Sequence, residues 1–155
     1  FVASNDAVNY AIQAIKEGVT FVSDTNMIKS GVDKTRLENF NCQIKCFVAD
    51  EDVKKEAIEN GSTRAISAIN KASKLNENII FVVGNSPTAL IRIHELVKEK
   101  SICPKLIIGT PVGFVNVVES KKLIMELDIP YIVIKGRKGG SNVAVAICNA
   151  LLRMA

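Results

Sequence analysis

Three glycine-rich stretches contain the residues whose types and spacing could bind or transform a ligand: 84–87, 109–114 and 135–141. Each stretch follows a short apolar run typical of a buried strand and precedes a pattern typical of a helix. The backbone N–H groups of such a loop can face a carboxylate or a phosphate. In a parallel sheet the three loops would lie together at the carboxyl edge, where open α/β folds bind ligands. The sequence therefore predicts an anion-binding site at this edge.

The stretch 135–141 is the most basic of the three. It contains three glycines and the cations Lys135, Arg137 and Lys138, and it stands at a predicted helix start. Binding of a carboxylate or a phosphate is the functional interpretation of this composition. The alternative is a solvated basic turn in which glycine permits a tight backbone path, and the composition of the stretch does not decide between the two.

Four further residues are candidates for a site. Gly113 permits positive φ in what could be a plain tight turn, and Phe114 could either cover a flat ligand or pack in the core. Arg64 stands at a predicted helix start, and a surface arginine is the favoured interpretation. Because a cation is poorly placed against the helix dipole there, binding of an anion is the alternative. His94, the only histidine, could act as an acid or base, although a packing role on its helical face is favoured.

Composition and fingerprints argue against several classes of function. The net charge of +4 is mild and no basic tract alternates with aromatic residues, so we expect no nucleic-acid partner. No apolar run approaches a membrane span, and neither GxGxxG nor GxxxxGK[ST] occurs. The N-terminal residues lack the basic segment of a signal peptide, which favours a cytoplasmic protein. The cysteines are scattered and without a CxxC pair, so we expect reduced thiols and no metal site: Cys42, Cys46, Cys103 and Cys148.

The elements that must position the loops follow from apolar periodicity. Strands are predicted at 20–22, 44–48, 79–83, 106–108 and 131–134, and helices at 5–16, 50–59, 62–76, 86–100, 116–127 and 142–151. Ser23 and Asp24 are predicted N-caps of a short helical turn that ends at Gly31. The core is aliphatic, since 48% of residues are hydrophobic but only 5% aromatic. This pattern predicts one α/β domain over 1–155, a three-layer α/β/α fold with a five-stranded, mostly parallel sheet.

Several long motifs in order resemble precorrin-8X methylmutases. They lie at residues 24–32, 63–65, 84–90, 109–121 and 136–141, and the match to the family extends over essentially the whole chain. The resemblance implies a cobalamin-pathway isomerase that moves a methyl group from C11 to C12 of precorrin-8X or cobalt-precorrin-8. It also implies a homodimer without a cofactor, in which cobalt enters only as part of the substrate.

The resemblance also implies which residues contact the substrate. Arg64 matches the family's substrate-contacting arginine, and the corrinoid carboxylates would suit the loops and the basic stretch. The full set of expected substrate-binding residues is Arg64, Thr63, Gly31, Val32, Asn85, Ser86, Gly113, Phe114 and Arg137.

One departure concerns the catalytic group. The family's catalytic histidine precedes the region that matches Phe1, and His94 does not match it, so the resemblance assigns no catalytic residue among 1–155. We therefore expect either that the N-terminal part of the family domain lies outside these residues or that the protein is a shortened relative. Two alternatives to the isomerase remain open at this point: a corrinoid-binding protein without catalysis, and a general anion-binding α/β domain.

Overall fold

The computed structural model describes residues 1–155 and contains eight helices and six strands. Their order is β1 (Val2–Ala3), α1 (Ala7–Lys16), β2 (Thr20–Ser23), α2 (Asn26–Gly31), α3 (Lys34–Asn39), β3 (Gln43–Lys45), α4 (Glu51–Glu59), α5 (Arg64–Ser73), β4 (Ile79–Val83), α6 (Pro87–Lys98), β5 (Leu106–Gly109), α7 (Val117–Met125), β6 (Tyr131–Val133) and α8 (Ser141–Met154).

One sheet runs through the molecule in the order β1-β6-β5-β4-β2-β3. Five strands, β2 to β6, are parallel to one another. The sixth, β1, pairs antiparallel with β6, with Val2 opposite Val133. The chain order of the strands reverses between β2 and β4, which are neighbours in the sheet, and such a reversal is where open sheets of this kind form a ligand crevice.

The predicted α/β class with a mostly parallel sheet is confirmed, but the sheet has six strands rather than five. The additional strand, β1, is two residues long, too short to show the alternation by which strands are recognised in a sequence. Because β1 runs opposite to β6, Phe1 lies at the carboxyl end of β6, beside the loop that follows it.

Helices cover both faces of the sheet. Alternate residues of β4 point to opposite sides: Ile80 and Val82 pack in one cluster with α1, α2, α3 and α8, whereas Phe81 and Val83 pack in another with α5, α6 and α7. Burial of strands on both faces explains their continuous apolar runs. Helices that follow parallel strands start at the carboxyl edge, so the starts of α6, α7 and α8 all border the loops described below.

Most predicted bounds agree with the structure to within three residues. Strand β4 and the start of α6, where the Ser86 Oγ accepts a hydrogen bond from the Ala89 N–H at 3.3 Å, are as predicted. Strand β3 ends three residues earlier than predicted, and α3 was not predicted because its six residues bury only Leu37.

The predicted N-caps of α2 are wrong, whereas its predicted end at Gly31 is correct. The N-cap is Thr25, whose Oγ1 accepts from the Ile28 N–H at 3.2 Å. Strand β2 extends through Ser23, and the N–H of Asp24 still donates to the carbonyl of Val82 at 3.1 Å, so neither residue is free to begin a helix. The Asp24 side chain is instead directed to another loop.

Candidate functional site

Four loops meet at one edge of the sheet, and we call them together the carboxyl edge. They consist of residues 24–25, 84–86, 110–116 and 134–140. They follow β2, β4, β5 and β6 respectively. The glycine-rich stretches predicted to lie together therefore do so, and the end of β2 joins them.

A buried carboxylate organises the loop that follows β4. The Asp24 Oδ1 accepts from the Gly84 N–H at 2.8 Å, and its Oδ2 accepts from the N–H groups of Asn85 at 2.9 Å and Ser86 at 2.7 Å. Burial raises the pKa of Asp24, and these three donors act in the opposite direction. A proton on either oxygen would compete with the N–H groups that already point at it, so the geometry is that of an ionised carboxylate.

The role of Asp24 corrects one prediction from the sequence. The N–H groups of residues 84–86 were expected to face a ligand, but an internal carboxylate already accepts hydrogen bonds from all three. What this loop offers to a ligand is the exposed side chain of Asn85 and the Ser86 hydroxyl, which also lies 2.8 Å from the Thr88 hydroxyl.

Close backbone contacts join the loops to one another. A Cβ on Gly84 would lie 2.8 Å from the Ser141 Cα, and a Cβ on Gly139 would overlap the Thr110 carbonyl. The Gly140 N–H donates to that carbonyl at 2.7 Å, while the Thr110 Oγ1 donates to the Gly140 carbonyl at 3.2 Å. The loops after β5 and β6 are thus held to each other by paired hydrogen bonds, which glycine permits by leaving room for the backbone.

Arg137 and Phe114 come together at the surface of these two loops. The guanidinium carbon of Arg137 lies 5.5 Å from the centre of the Phe114 ring, a cation–π distance, and the Gly113 N–H donates to the Arg137 carbonyl at 3.1 Å. Phe114 is 81% exposed, so it is not a core residue. Three of the predicted substrate-binding residues therefore form one exposed cluster, with a flat apolar face beside a cation.

Arg64 lies further along the same side of the molecule. It is the exposed first residue of α5, whose N-cap is Thr63, with its Oγ1 accepting from the Ile66 N–H at 3.1 Å. The Arg92 Nε on α6 donates to the Asn70 Oδ1 on α5 at 2.7 Å. Asn70 stands six positions after Arg64, and Arg92 stands six positions after Ser86, which is about 9 Å at the rise of a helix. The starts of α5 and α6 therefore lie at a similar level. Arg64 takes part in none of the ion pairs of the chain.

Two predicted residues have packing roles. Val32 is 2% exposed and belongs to the core, and a Cβ on Gly31 would lie 2.8 Å from a methyl group of Val145 on α8. Gly31 thus permits the close crossing of α2 and α8. Contact of either residue with a ligand stays a prediction.

Sequence reasoning missed Asp24 and Lys121 as site residues. Both are buried, and each hydrogen-bonds to the backbone of a glycine-rich loop: Asp24 to residues 84–86, and Lys121 to the carbonyls of Gly136 and Lys138. A charged residue inside a buried strand end or an apolar helix face is the signal that could have identified them.

His94, the remaining candidate, lies outside the four loops. It is partly buried near the middle of α6, seven residues after the start of the helix, which is about 10 Å along the axis.

No group of three or more His, Cys, Asp or Glu side chains is placed to hold a metal ion, and no helix is long and apolar enough to cross a membrane. All four cysteines are free thiols, and only Cys103 is exposed.

Open concavities are found elsewhere on the surface of the molecule. Concavities line the amino-terminal edge of the sheet, around residues 76–79 and 103–105, and the groove between α5 and α6. The chemistry of the carboxyl edge marks it as the candidate site, since it combines cations, an exposed aromatic ring and rigid backbone.

Comparison with known proteins gives a consistent result. The family model described as precorrin-8X methylmutase matches residues 1–154. The chain is 49% identical to the cobalt-precorrin-8 methylmutase of Leptospira interrogans, over 94% of this chain and 70% of that protein. It is 43% identical to the protein of the same name from Methanocaldococcus jannaschii, over 99% of this chain and 70% of that protein. The chain thus spans about 70% of the length of these relatives.

A solved structure shares the fold. The precorrin-8X methylmutase of Thermus thermophilus superposes with a TM-score of 0.89 at 36% sequence identity, and the match covers 99% of this chain and 75% of that one.

Proposed function

The chain belongs to the precorrin-8X methylmutase family, and we propose that it is a cobalamin-pathway isomerase that moves a methyl group from C11 to C12 of a corrinoid ring. The substrate is precorrin-8X or cobalt-precorrin-8, and the product hydrogenobyrinate or cobyrinate. Cobalt, where present, belongs to the substrate, and the proposal includes no cofactor. The observation that supports it most directly is the cluster of Arg137 and Phe114 at the carboxyl edge of a chain with this family membership.

The chemistry of the edge suits a flat ring that bears several carboxylates. Phe114 offers an exposed aromatic face for the macrocycle, while Arg137 and Arg64 offer guanidinium groups for carboxylates at the periphery. The Asn85 amide and the Ser86 hydroxyl lie between them along the edge. Because the methyl migration is intramolecular, the residues named here act by binding and orienting the ring.

The position of His94 favours a second candidate function, a corrinoid-binding protein without catalysis. The only histidine lies partly buried in the middle of α6 and away from the four loops, and the one carboxylate within those loops, Asp24, is buried and accepts three hydrogen bonds. On this alternative, the 155 residues hold the ring but supply no proton.

We also propose that the chain works in the cytoplasm as a homodimer. Helix α8 buries Ala144, Cys148, Leu151 and Leu152 but leaves Ala146 exposed. Val112, Phe114 and Val115 are likewise exposed in one loop. Apolar surface of this kind supports an interface.

Conversion of substrate separates the two functions. The chain is mixed with precorrin-8X and the absorbance spectrum of the tetrapyrrole is followed, with the methyl position checked by NMR on a sample labelled with ¹³C at that methyl group. The isomerase predicts appearance of hydrogenobyrinate. A saturable spectral change without methyl migration supports the binding protein, and indifference to the tetrapyrrole contradicts both.

A further inference from the structure

Lys121 is an almost wholly buried cation on α7, with 1% of its surface exposed. Its Nζ donates to the carbonyl of Gly136 at 2.7 Å and to that of Lys138 at 3.0 Å, and no carboxylate pairs with it. Burial lowers the pKa of Lys121. Lysine is seldom buried without a counter-charge, because desolvation of the ammonium group is costly. A buried lysine that binds only backbone oxygens therefore calls for an explanation.

The two accepting carbonyls stand on either side of Arg137. The carbonyl of Arg137 itself accepts from the Gly113 N–H at 3.1 Å. Three consecutive carbonyls, at residues 136–138, are thus fixed by donors from α7 and from the loop after β5. This restraint is concentrated around one residue, whose guanidinium lies over the Phe114 ring.

A surface arginine on a glycine-rich loop would ordinarily lose much backbone and side-chain freedom when it binds a ligand. Gly136, Gly139 and Gly140 all have positive φ, so the sequence of this loop does little to restrict its own backbone. The ammonium of Lys121 supplies the restriction from inside the molecule. Methionine at this position would have a similar length but would leave two carbonyls without their donor.

We propose that Lys121 is a positioning residue that acts through Arg137, holding the backbone on both sides of it so that the guanidinium is presented over Phe114 to a carboxylate of the ligand. This inference rests on the proposed function, since the ligand is the corrinoid. Asp24 has the corresponding role in the loop after β4, where its negative charge accepts three N–H hydrogen bonds. The half of the edge at β5 and β6 instead carries the positive charges of Lys121 and Arg137, which take part in no ion pair. These charges are available to an anionic group.

A double-mutant cycle tests this coupling. Affinity for hydrogenobyrinic acid is measured by absorbance titration for the wild type, Lys121→Met, Arg137→Met and the double variant. We expect each single variant to weaken binding about tenfold or more, and the double variant to bind no more weakly than Arg137→Met alone. Lys122→Met removes the same charge from the exposed neighbouring position and should bind as the wild type does. Additive losses, or normal affinity in Lys121→Met, would overturn the inference.

Amide hydrogen exchange tests the inference without a ligand. Exchange at the amides of Gly113 and Gly140, which donate to the carbonyls of Arg137 and Thr110, should be at least about tenfold faster in Lys121→Met than in the wild type, and unchanged in Lys122→Met. Unchanged protection in Lys121→Met would overturn the inference even if the wild type bound no corrinoid. Failure of the wild type to bind hydrogenobyrinic acid would count against the proposed function instead.

NMR of the lysine side-chain ammonium groups covers the case in which Lys121→Met does not fold. In the wild type, the Nζ protons of Lys121 should exchange slowly. Their resonance should shift when hydrogenobyrinic acid is added, and Arg137→Met should abolish the shift. Rapid exchange of these protons, or a shift that persists in Arg137→Met, would contradict the positioning role.

Discussion

Two buried charges of opposite sign, on Asp24 and Lys121, each stabilise a loop of the candidate site by bonding to its backbone. Bonds to charged groups contribute more than neutral ones, about 1.5–3 kcal/mol each. Such bonds fix the path of a glycine-rich segment while leaving its side chains free for a ligand. Asn85, Ser86 and Arg137 are the side chains presented in this way.

Replacement of Asp24 by asparagine should lower the free energy of unfolding by about 2–4 kcal/mol. The amide keeps one acceptor oxygen, but its NH₂ group would face N–H donors that lose their partner, and a buried unsatisfied donor is costly. Urea denaturation monitored by circular dichroism measures the change. Asp128→Asn, at an exposed position, is the matched control and should be neutral within about 0.5 kcal/mol. Equal stability of the two variants would contradict the role assigned to Asp24.

The cysteines should differ sharply in reactivity. Burial raises the pKa of Cys148 to about 12, so at pH 8.5 its thiol keeps the proton and is also inaccessible, whereas Cys103 is exposed. Labelling with a thiol reagent should modify Cys103 first and Cys148 only on unfolding. Since the pKa of Cys148 is higher in the folded state than in the unfolded one, its contribution to stability is complete below about pH 9 and is lost as pH rises toward 12. Rapid labelling of Cys148 in the native protein would contradict the packing of α8.

At the scale of elements, close helix packing fixes the position of α2 against α8. A Cβ on Gly31 would lie within 3 Å of both methyl groups of Val145, so Gly31→Ala should destabilise the protein by about 1–3 kcal/mol. Val145→Ala removes those methyl groups, and the double variant should recover stability relative to Gly31→Ala. Thermal unfolding of the three variants gives the comparison. If Gly31→Ala unfolds at the wild-type temperature, the crossing is looser than described.

The elements that sequence predicted well are those with strong local signals. Strand β4 is a run of five buried apolar residues, and the pair Ser86-Pro87 is a cap followed by proline at the first helical position. Strand β1 and helix α3 were missed because they are short and gain their stability from neighbours that are distant in the sequence. The last helix was predicted three residues short at Leu151, which left its only charged residue, Arg153, outside it.

The candidate site was predictable only in part, for the same reason. Gly113, Phe114 and Arg137 could be assigned to the carboxyl edge from strand order alone, since loops after parallel strands meet there. The partners of Asp24 lie 60–62 positions away in the sequence, and those of Lys121 lie 15 and 17 positions away on another loop. No local pattern reveals such bonds, so the two charges that organise the loops became evident only in the structure.

At the scale of the whole molecule, one edge of the sheet gathers the groups that suit a corrinoid. Arg64 at the start of α5 and Arg137 after β6 lie along this edge, with Asn85 and Ser86 between them, and β1 brings Phe1 to the same edge. The concavities at the opposite edge include the exposed ring of Tyr10, but no arginine lines them. This arrangement supports the proposal that a ligand binds on this side of the molecule.

Absorbance titration with hydrogenobyrinic acid tests this claim most directly, because the tetrapyrrole's own spectrum reports binding. The wild type should give a saturable shift that weakens as ionic strength rises. Arg64→Met and Arg137→Met should each lose about 10–100-fold in affinity, as expected for removal of a charged hydrogen bond. Arg153→Met, which removes the same charge near the far end of α8, should bind as the wild type does. A wild type that produces no shift, or arginine variants that all bind equally, would contradict a corrinoid site at the carboxyl edge.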